Sequence, residues 1–199
     1  MNIRQYTFEE FLERAKEFHG YPAPGIAVGG FMVDLAYRHL PEEGLFNALC
    51  ETPKCLPDAI QLLTPCTTGN GRLTVINVGR YALALYDKES GEGVRVFVDA
   101  AKLEALPELK SWFFKLKPKN EQDSDLLIAQ IREGGSSICG VQKVMVADRF
   151  LTRRRRGGIA LCPKCHESYP VDDGAMCLAC SGNENLSSVC PETPTPRNI

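Results

Sequence analysis

The sequence predicts an α+β fold, in which helices pack on one side of an antiparallel sheet and a small metal-bound subdomain follows. Three observations lead to this prediction. The apolar period is helical over the first third of the chain, it becomes alternating between residues 73 and 98, and two C-x-x-C pairs follow near the C-terminus. We therefore expect a core over residues 1–150 and a zinc subdomain over residues 159–182.

The first helices are marked by a cap and by apolar spacing. Thr7 followed by Glu10 forms a capping box, and apolar residues then recur at helical spacing until a glycine ends the run. A second helix is predicted over residues 25–40, where small and apolar residues suit a buried position, and a third begins at Pro57. His19 is thereby placed at the C-terminal end of the first helix.

Strands are predicted where apolar residues form short runs or alternate with polar ones, and three consecutive strands indicate an antiparallel meander. The expected strands are residues 45–50, 73–76, 81–86, 94–98 and 141–147, and the later helices are residues 100–106 and 124–133. Helices of such a chain segregate to one side of the sheet, which gives the α+β class.

Composition and charge describe an ordinary globular chain. The 199 residues are 44% hydrophobic and 24% charged, and the net charge of −2 provides no basic field for nucleic acid. No apolar run reaches the roughly 18 residues that a membrane span needs, and the start lacks the apolar core of a secretory signal. Nine cysteines then indicate metal binding or thiol chemistry rather than disulfides. We expect a cytoplasmic protein without membrane association.

Four cysteines near the C-terminus carry the strongest chemical signal. Cys162 and Cys165 form one C-x-x-C pair, and Cys177 and Cys180 form a second pair after eleven intervening residues. Each pair brings two thiolates onto a tight turn, and four soft ligands complete the tetrahedron that zinc prefers. A closed tetrahedron has no position for water or substrate, so we expect a structural zinc site of the zinc-ribbon or treble-clef type. Two disulfides are the alternative.

Two segments flank the zinc subdomain, a basic linker at residues 151–158 and a predicted disordered tail at residues 183–199 that contains Cys190. The linker contains four consecutive arginines: Arg153, Arg154, Arg155 and Arg156. Such a run could contact phosphates, but acidic residues surround the zinc segment and it lacks a basic recognition helix. We expect a solvated linker and no nucleic-acid binding.

Three motifs of the core resemble those of a known family. They are F-H-G-Y-P-A-P-G at residues 18–25, E-T-P-K-C-L-P-D-A-I-Q at residues 51–61 and P-C-T-T-G-N-G at residues 65–71. In this order, and followed by Gly79-Arg80 where the family has Gly-Lys, they are similar to the formylmethanofuran dehydrogenase E-subunit family over residues 8–147.

The resemblance implies an architecture and a context for this chain. Members are α+β proteins, several of which add a C-terminal treble-clef zinc finger. The resemblance also suggests a homodimer, and it implies a role in one-carbon metabolism within a larger dehydrogenase complex. The redox chemistry would then belong to a molybdenum or tungsten subunit, since this chain lacks the cysteines for iron–sulfur clusters.

A second metal site in the core is also implied by the resemblance. His19, Cys55 and Cys66 are its candidate ligands, and imidazole with thiolates favours zinc or another divalent transition metal with one position open. Asp58 and Gln61 lie one helical turn apart, so they could orient a ligand or a bound water.

Departures from the family motif remove two donors from this core site. Tyr21 and Ala23 stand where members typically carry a histidine and a cysteine. Cys50 lies five residues before Cys55 and is an alternative ligand, although packing is the commoner role for such a cysteine.

Two function classes therefore remain open, and no catalytic residue is identified. The first is a zinc-binding enzyme or accessory subunit of one-carbon metabolism with a core His/Cys site. The second is a non-catalytic adaptor or regulatory protein whose zinc finger docks a partner.

Overall fold

The computed structural model describes residues 2–40, 45–151 and 157–182. The chain divides into two compact units, residues 1–151 and residues 152–199. The arginines at positions 153–156 and the predicted tail at 183–199 with Cys190 lie outside the described residues. Within the described part of the chain, no helix is long and apolar enough to cross a membrane.

The first unit contains seven strands and five α-helices among the described residues. The elements are β1 (Asn2–Ile3), β2 (Tyr6–Thr7), α1 (Phe8–His19), α2 (Pro24–Tyr37), β3 (Phe46–Cys50), α3 (Leu56–Leu63), β4 (Leu73–Val75), β5 (Ala82–Asp87), β6 (Glu92–Val98), α4 (Pro107–Phe113), α5 (Ser124–Gly134) and β7 (Cys139–Met145). The second unit contains an antiparallel hairpin of β8 (Ile159–Leu161) and β9 (Ser168–Pro170).

The capping box predicted at the start of α1 is confirmed. The Glu10 N–H donates to Thr7 Oγ1 at 3.2 Å, and the Thr7 N–H donates to Glu10 Oε2 at 2.8 Å. Gly20 ends the helix with a φ of 91°, a left-handed conformation that glycine adopts without steric cost. His19 is consequently the last residue of α1, as the sequence predicts.

Five strands form the main sheet in the order β4-β3-β5-β6-β7. The α+β class is confirmed, and the neighbours β3-β5, β5-β6 and β6-β7 are antiparallel as expected. The predicted meander is wrong at its first strand, because β4 pairs with β3, in parallel, and not with β5. A parallel pair needs a crossover connection, and α3 supplies it between β3 and β4.

The helix α2 lies at the centre of the helical layer, and ten of its residues are buried. Glycines on α2 let the neighbouring helices approach closely. A Cβ atom at Gly29 would lie 2.8 Å from the Cβ of Ala59 on α3, and one at Gly30 would lie 2.5 Å from the ring of Phe11 on α1. Any larger side chain at these two positions would push α1 and α3 away from α2.

The helix α4 is held by a side chain from α5. Gln130 is buried, and its Oε1 accepts from the backbone N–H groups of Glu108 at 2.8 Å and Leu109 at 2.9 Å. These are amides of the first turn, which have no partner within their own helix. The helix predicted over residues 100–106 is a shorter 3₁₀ turn over Ala100–Leu103.

The sheet face opposite the helices carries a buried carboxylate. Glu51 is 4% exposed, and Arg95 donates to its two oxygens from Nε at 2.6 Å and Nη2 at 2.9 Å. Arg80 Nε lies 2.7 Å from Oε2 of the same carboxylate, and Arg95 Nη1 donates to Gln142 at 3.0 Å. The hydrogen bonds from Arg95, which outweigh burial, hold the pKa of Glu51 below its usual value.

Glu51 should make the stability of the fold sensitive to acid. Because its folded-state pKa is depressed below the ordinary 4.5, the carboxylate stabilises the fold above that value, and this contribution is lost as the pH falls through the folded-state pKa. Glu51→Gln should lower the free energy of unfolding at pH 7 by about 1–3 kcal/mol. It should also weaken the decrease below pH 4.5 in urea denaturation.

Glu89→Gln in the exposed turn after β5 is the matched control, and it should leave both quantities unchanged. An acid dependence of Glu51→Gln that equals that of the unmodified chain would contradict this role.

Candidate metal centres

The first C-x-x-C pair lies in the turn of the β8-β9 hairpin. Cys162 follows β8, and its backbone N–H donates to the Glu167 carbonyl at 2.8 Å. The His166 N–H donates back to the Cys162 carbonyl at 2.9 Å, and His166 adopts a left-handed φ of 62°. This tight reversal brings the thiols of Cys162 and Cys165 to one side of the hairpin.

The second pair forms a similar turn after β9. The N–H groups of Cys180 and Ser181 both donate to the Cys177 carbonyl at 3.0 Å. The ligand atoms of the four cysteines lie within 4.8 Å of one another, and the Sγ atoms of Cys165 and Cys177 are 3.8 Å apart. In a tetrahedron with Zn–S bonds near 2.3 Å the sulfurs are about 3.8 Å apart, so the quartet fits zinc.

The electrostatics of the quartet favour thiolates. Backbone N–H groups, first of all that of Cys165, lower the pKa of the Cys162 thiol to about 6 despite its burial. Thiolate is the form that binds zinc. The neighbouring His166 is not needed as a ligand, since four sulfurs already complete the coordination.

In the core, the structure brings His19 and Asp58 together. His19 ends α1 and Asp58 lies in the first turn of α3. His19 Nδ1 lies 2.6 Å from Asp58 Oδ2, and both side chains are mostly buried, at 19% and 30% exposure. A carboxylate on Nδ1 fixes the imidazole orientation and leaves Nε2 available to a ligand.

Cys55 lies beside the N-terminus of α2 in an unusual backbone conformation. It precedes α3 with φ 53° and ψ −45°, a region that non-glycine residues rarely adopt. A Cβ atom at Gly25 would lie 3.0 Å from Cys55 Sγ and 3.0 Å from the Tyr81 hydroxyl, so only glycine fits there. Burial, followed by the nearby Asp58 carboxylate, raises the pKa of the Cys55 thiol.

Tyr81 is a residue of this region that the sequence analysis does not single out. Its hydroxyl donates to the Gly25 carbonyl at 2.6 Å, and burial raises its pKa well above the ordinary value, so it stays protonated. A tyrosine just before an apolar strand is ordinary in sequence. Its role depends on the approach of β5 to α2, which no local pattern reports.

Tyr21 and Ala23, the positions of the two missing donors, have packing roles. The ring of Tyr21 lies 4.9 Å from that of His19, and Ala23 is buried where α2 begins. Neither side chain offers a metal ligand. The region around His19 is therefore bordered by an aromatic ring that is half exposed.

Cys66 lies apart from His19 and Cys55. It follows α3, whereas Cys55 precedes it, and a helix of eight residues is about 12 Å long. The Cys66 thiol lies 3.5 Å from the Phe46 carbonyl. Within the described residues, the quartet of the second unit is the one group of three or more metal-ligating side chains that converge. The structure thus does not gather His19, Cys55 and Cys66 around one point.

Two further candidates of the core are engaged elsewhere. Gln61 Oε1 accepts from the backbone N–H and the hydroxyl of Thr68, at 3.3 and 3.4 Å, and so stabilises the loop after α3. The Cys50 thiol donates to the Thr52 carbonyl at 3.1 Å, and burial raises its pKa to about 11. Both contacts are those of structural residues.

Comparison with known proteins agrees with the two-part organisation. The family model FmdE, described as molybdenum formylmethanofuran dehydrogenase operon, matches residues 18–147. The model of the FmdE treble clef zinc finger matches residues 153–186. The chain belongs to the FmdE family, and its second unit is a zinc finger of that family.

Two known proteins are similar over most of the chain. One is a tungsten formylmethanofuran dehydrogenase FmdE-like protein from Syntrophus aciditrophicus, known from a crystal structure. It has 52% sequence identity and a TM-score of 0.84, and the match covers 92% of this chain and 96% of that one. The other is a probable S-adenosyl-L-methionine-binding protein from Archaeoglobus fulgidus, 30% identical over 90% of this chain. The match spans only 54% of that relative.

The zinc finger should fold only with its metal. Cys162→Ser and Cys177→Ser should each release about one zinc per chain and abolish hydrogen-exchange protection over residues 157–182, because so short a segment buries too little apolar area by itself. The first unit should keep its protection. His166→Asn, which tolerates the left-handed backbone, is the control and should retain zinc. Zinc retention with unchanged protection in both serine variants would refute the site.

Proposed function

We propose that this chain is a metal-binding accessory protein of one-carbon metabolism, with a second transition-metal site between α1 and α3 beside its structural zinc finger. The observation that carries the proposal is the 2.6 Å contact between His19 Nδ1 and Asp58 Oδ2. Metal-ligating histidines almost always bind a carboxylate or carbonyl through their other ring nitrogen. His19 Nε2 is therefore the first proposed ligand, and Asp58 is the residue that orients it.

Cys55 is the second proposed ligand. Its backbone conformation costs about 1–3 kcal/mol in a non-glycine residue, and such conformations concentrate at functional sites. Burial and the Asp58 carboxylate both disfavour its thiolate. A bound divalent cation would reverse this preference, because it supplies the opposite charge and deprotonates a coordinating thiol. Zinc, or another borderline metal, suits this imidazole and thiolate pair.

The proposed core site is open, unlike the zinc finger. Two protein ligands leave two positions of a tetrahedron for water, for a small molecule or for a donor from another chain. Tyr21 and Ala23 supply no donors in this chain, which keeps those positions open. Cys66 is left out of this site because it lies at the other end of α3.

The metabolic context of the proposal comes from the relatives. The Syntrophus protein is described as a tungsten formylmethanofuran dehydrogenase FmdE-like protein, and the Archaeoglobus protein as a probable binder of S-adenosyl-L-methionine. Formyl and methyl groups are both one-carbon units. We place this chain in the cytoplasm as an accessory component of a larger dehydrogenase, whose molybdenum or tungsten subunit would carry the redox step.

A second candidate function is a non-catalytic adaptor. The zinc finger exposes two apolar side chains on one face of β8, Ile159 at 66% and Leu161 at 70% exposure. Neighbouring apolar side chains of this kind favour a docking role. Under this alternative the core would bind no metal, and the zinc finger would contact the partner.

Metal content separates the two functions. After reconstitution with zinc and removal of the excess, the accessory-protein proposal expects about two metals per chain by elemental analysis, one in each site. His19→Ala and Cys55→Ser should each lose one of them and retain the zinc finger. Asp58→Asn should weaken the core site by about 10- to 100-fold.

Cys66→Ser is the matched control, because it removes a core thiol at the opposite end of α3. It should retain both metals. One zinc per chain in the unmodified protein, unaffected by His19→Ala, would refute the core site and favour the adaptor.

A further inference from the structure

The strand β7 is a long free edge of the main sheet. The strand order leaves β4 and β7 at the two edges, and β4 has only three residues whereas β7 has seven. Val141, Gln142, Lys143 and Met145 are exposed. The strand has no proline, and its pairing with β6 is continuous from Cys139 to Met145, without a bulge. Edges without such protection are ready to pair with another strand.

The backbone groups that face outward follow from the pairing of β7 with β6. The Val146 N–H donates to the Gly91 carbonyl, and the Asp99 N–H donates to the Ile138 carbonyl, both at 2.9 Å. Hydrogen-bonded residues alternate along an antiparallel ladder, so the even-numbered residues of β7 bond to β6. The N–H and C=O groups of Val141, Lys143 and Met145 therefore point away from the sheet.

We propose that β7 pairs antiparallel with the β7 strand of a second copy of this chain, around a two-fold axis at Gln142. The two five-stranded sheets would then form one continuous sheet. In this register Val141 forms a hydrogen-bonded pair with the partner's Lys143, and Lys143 forms one with the partner's Val141. Gln142 faces the partner's Gln142 as a pair without backbone hydrogen bonds.

The side chains of β7 favour this register over its neighbours. It overlaps all seven residues of the strand, since Gln142 is the central one. It also separates the two lysines, whereas an axis one residue further along the strand would place Lys143 directly opposite the partner's Lys143. Like charges opposite each other destabilise a strand pair. Lys102 Nζ bonds the Cys139 carbonyl at 2.6 Å, so the ladder should be centred on residues 141–143.

An apolar groove beside β7 gives the second copy something to cover. The groove has a volume of about 750 Å³ and lies on the helix side of the strand, where its apolar lining includes Leu45, Val94, Val141 and Met145. Leu45 and Met145 are 64% and 65% exposed. A partner strand along β7 would close the open side of this groove and cover Val141 and Met145. The proposal is independent of the core metal site.

The first experiment measures mass and tests the outward-facing backbone. Light scattering of the full zinc-loaded chain should give twice 22.0 kDa at micromolar concentration. Lys143→Pro removes an N–H that points away from β6, so it should give a folded monomer, with unchanged circular dichroism. Lys143→Ala keeps the N–H and should stay dimeric. A monomeric unmodified chain, or a dimeric Lys143→Pro, would overturn the proposal.

The second experiment tests the register by cross-linking. Residues facing each other without backbone hydrogen bonds have Cα atoms about 4.5 Å apart, within disulfide range. Gln142→Cys should therefore form a covalent dimer on mild oxidation with zinc present, identified by mass spectrometry as a 142–142 disulfide. Lys143→Cys would meet its copy only diagonally, at about 7–8 Å, and should not exceed the background of the unmodified chain. Cross-linking at 143 but not at 142 would overturn the proposed register.

Discussion

The close packing of α2 against its neighbours is the constraint on which the first unit depends. Glycines at positions 29 and 30 remove the side chains that would otherwise separate α1 and α3 from α2. Because both helices approach α2 closely, the end of α1 meets the start of α3. His19 and Asp58 are brought into contact in this way, although 39 residues separate them in the chain.

The two metal sites differ in what their local sequence can specify. Both halves of the zinc quartet are C-x-x-C turns, so each turn is formed locally and a single hairpin brings the two together. The core site has one candidate ligand on each of two separate segments, and the orienting carboxylate lies on the helix that follows Cys55. Its geometry therefore depends on the tertiary packing of three helices, and one change at Gly25 would disturb it.

Much of the fold is predictable from local patterns, and the failures have a common cause. The capping box of α1, the end of that helix at His19 and the ligand set of the zinc finger all depend on residues close in sequence. The pairing of β4 with β3 does not, because alternation marks a strand without naming its neighbour. The separation of Cys55 from Cys66 could not be predicted either, since proximity to a helix end says nothing about which end faces the other ligand.

Gly25 has a consequence for comparing members of this family. A side chain at that position would collide with the sulfur at position 55 and with the Tyr81 hydroxyl. Glycine at 25 and cysteine at 55 are thus sterically coupled, whereas the donor positions 21 and 23 can hold tyrosine and alanine without disturbing the backbone. When such chains are sorted into metal-binding and metal-free groups, the glycine and cysteine pair is a more informative criterion than the number of histidines in the first motif.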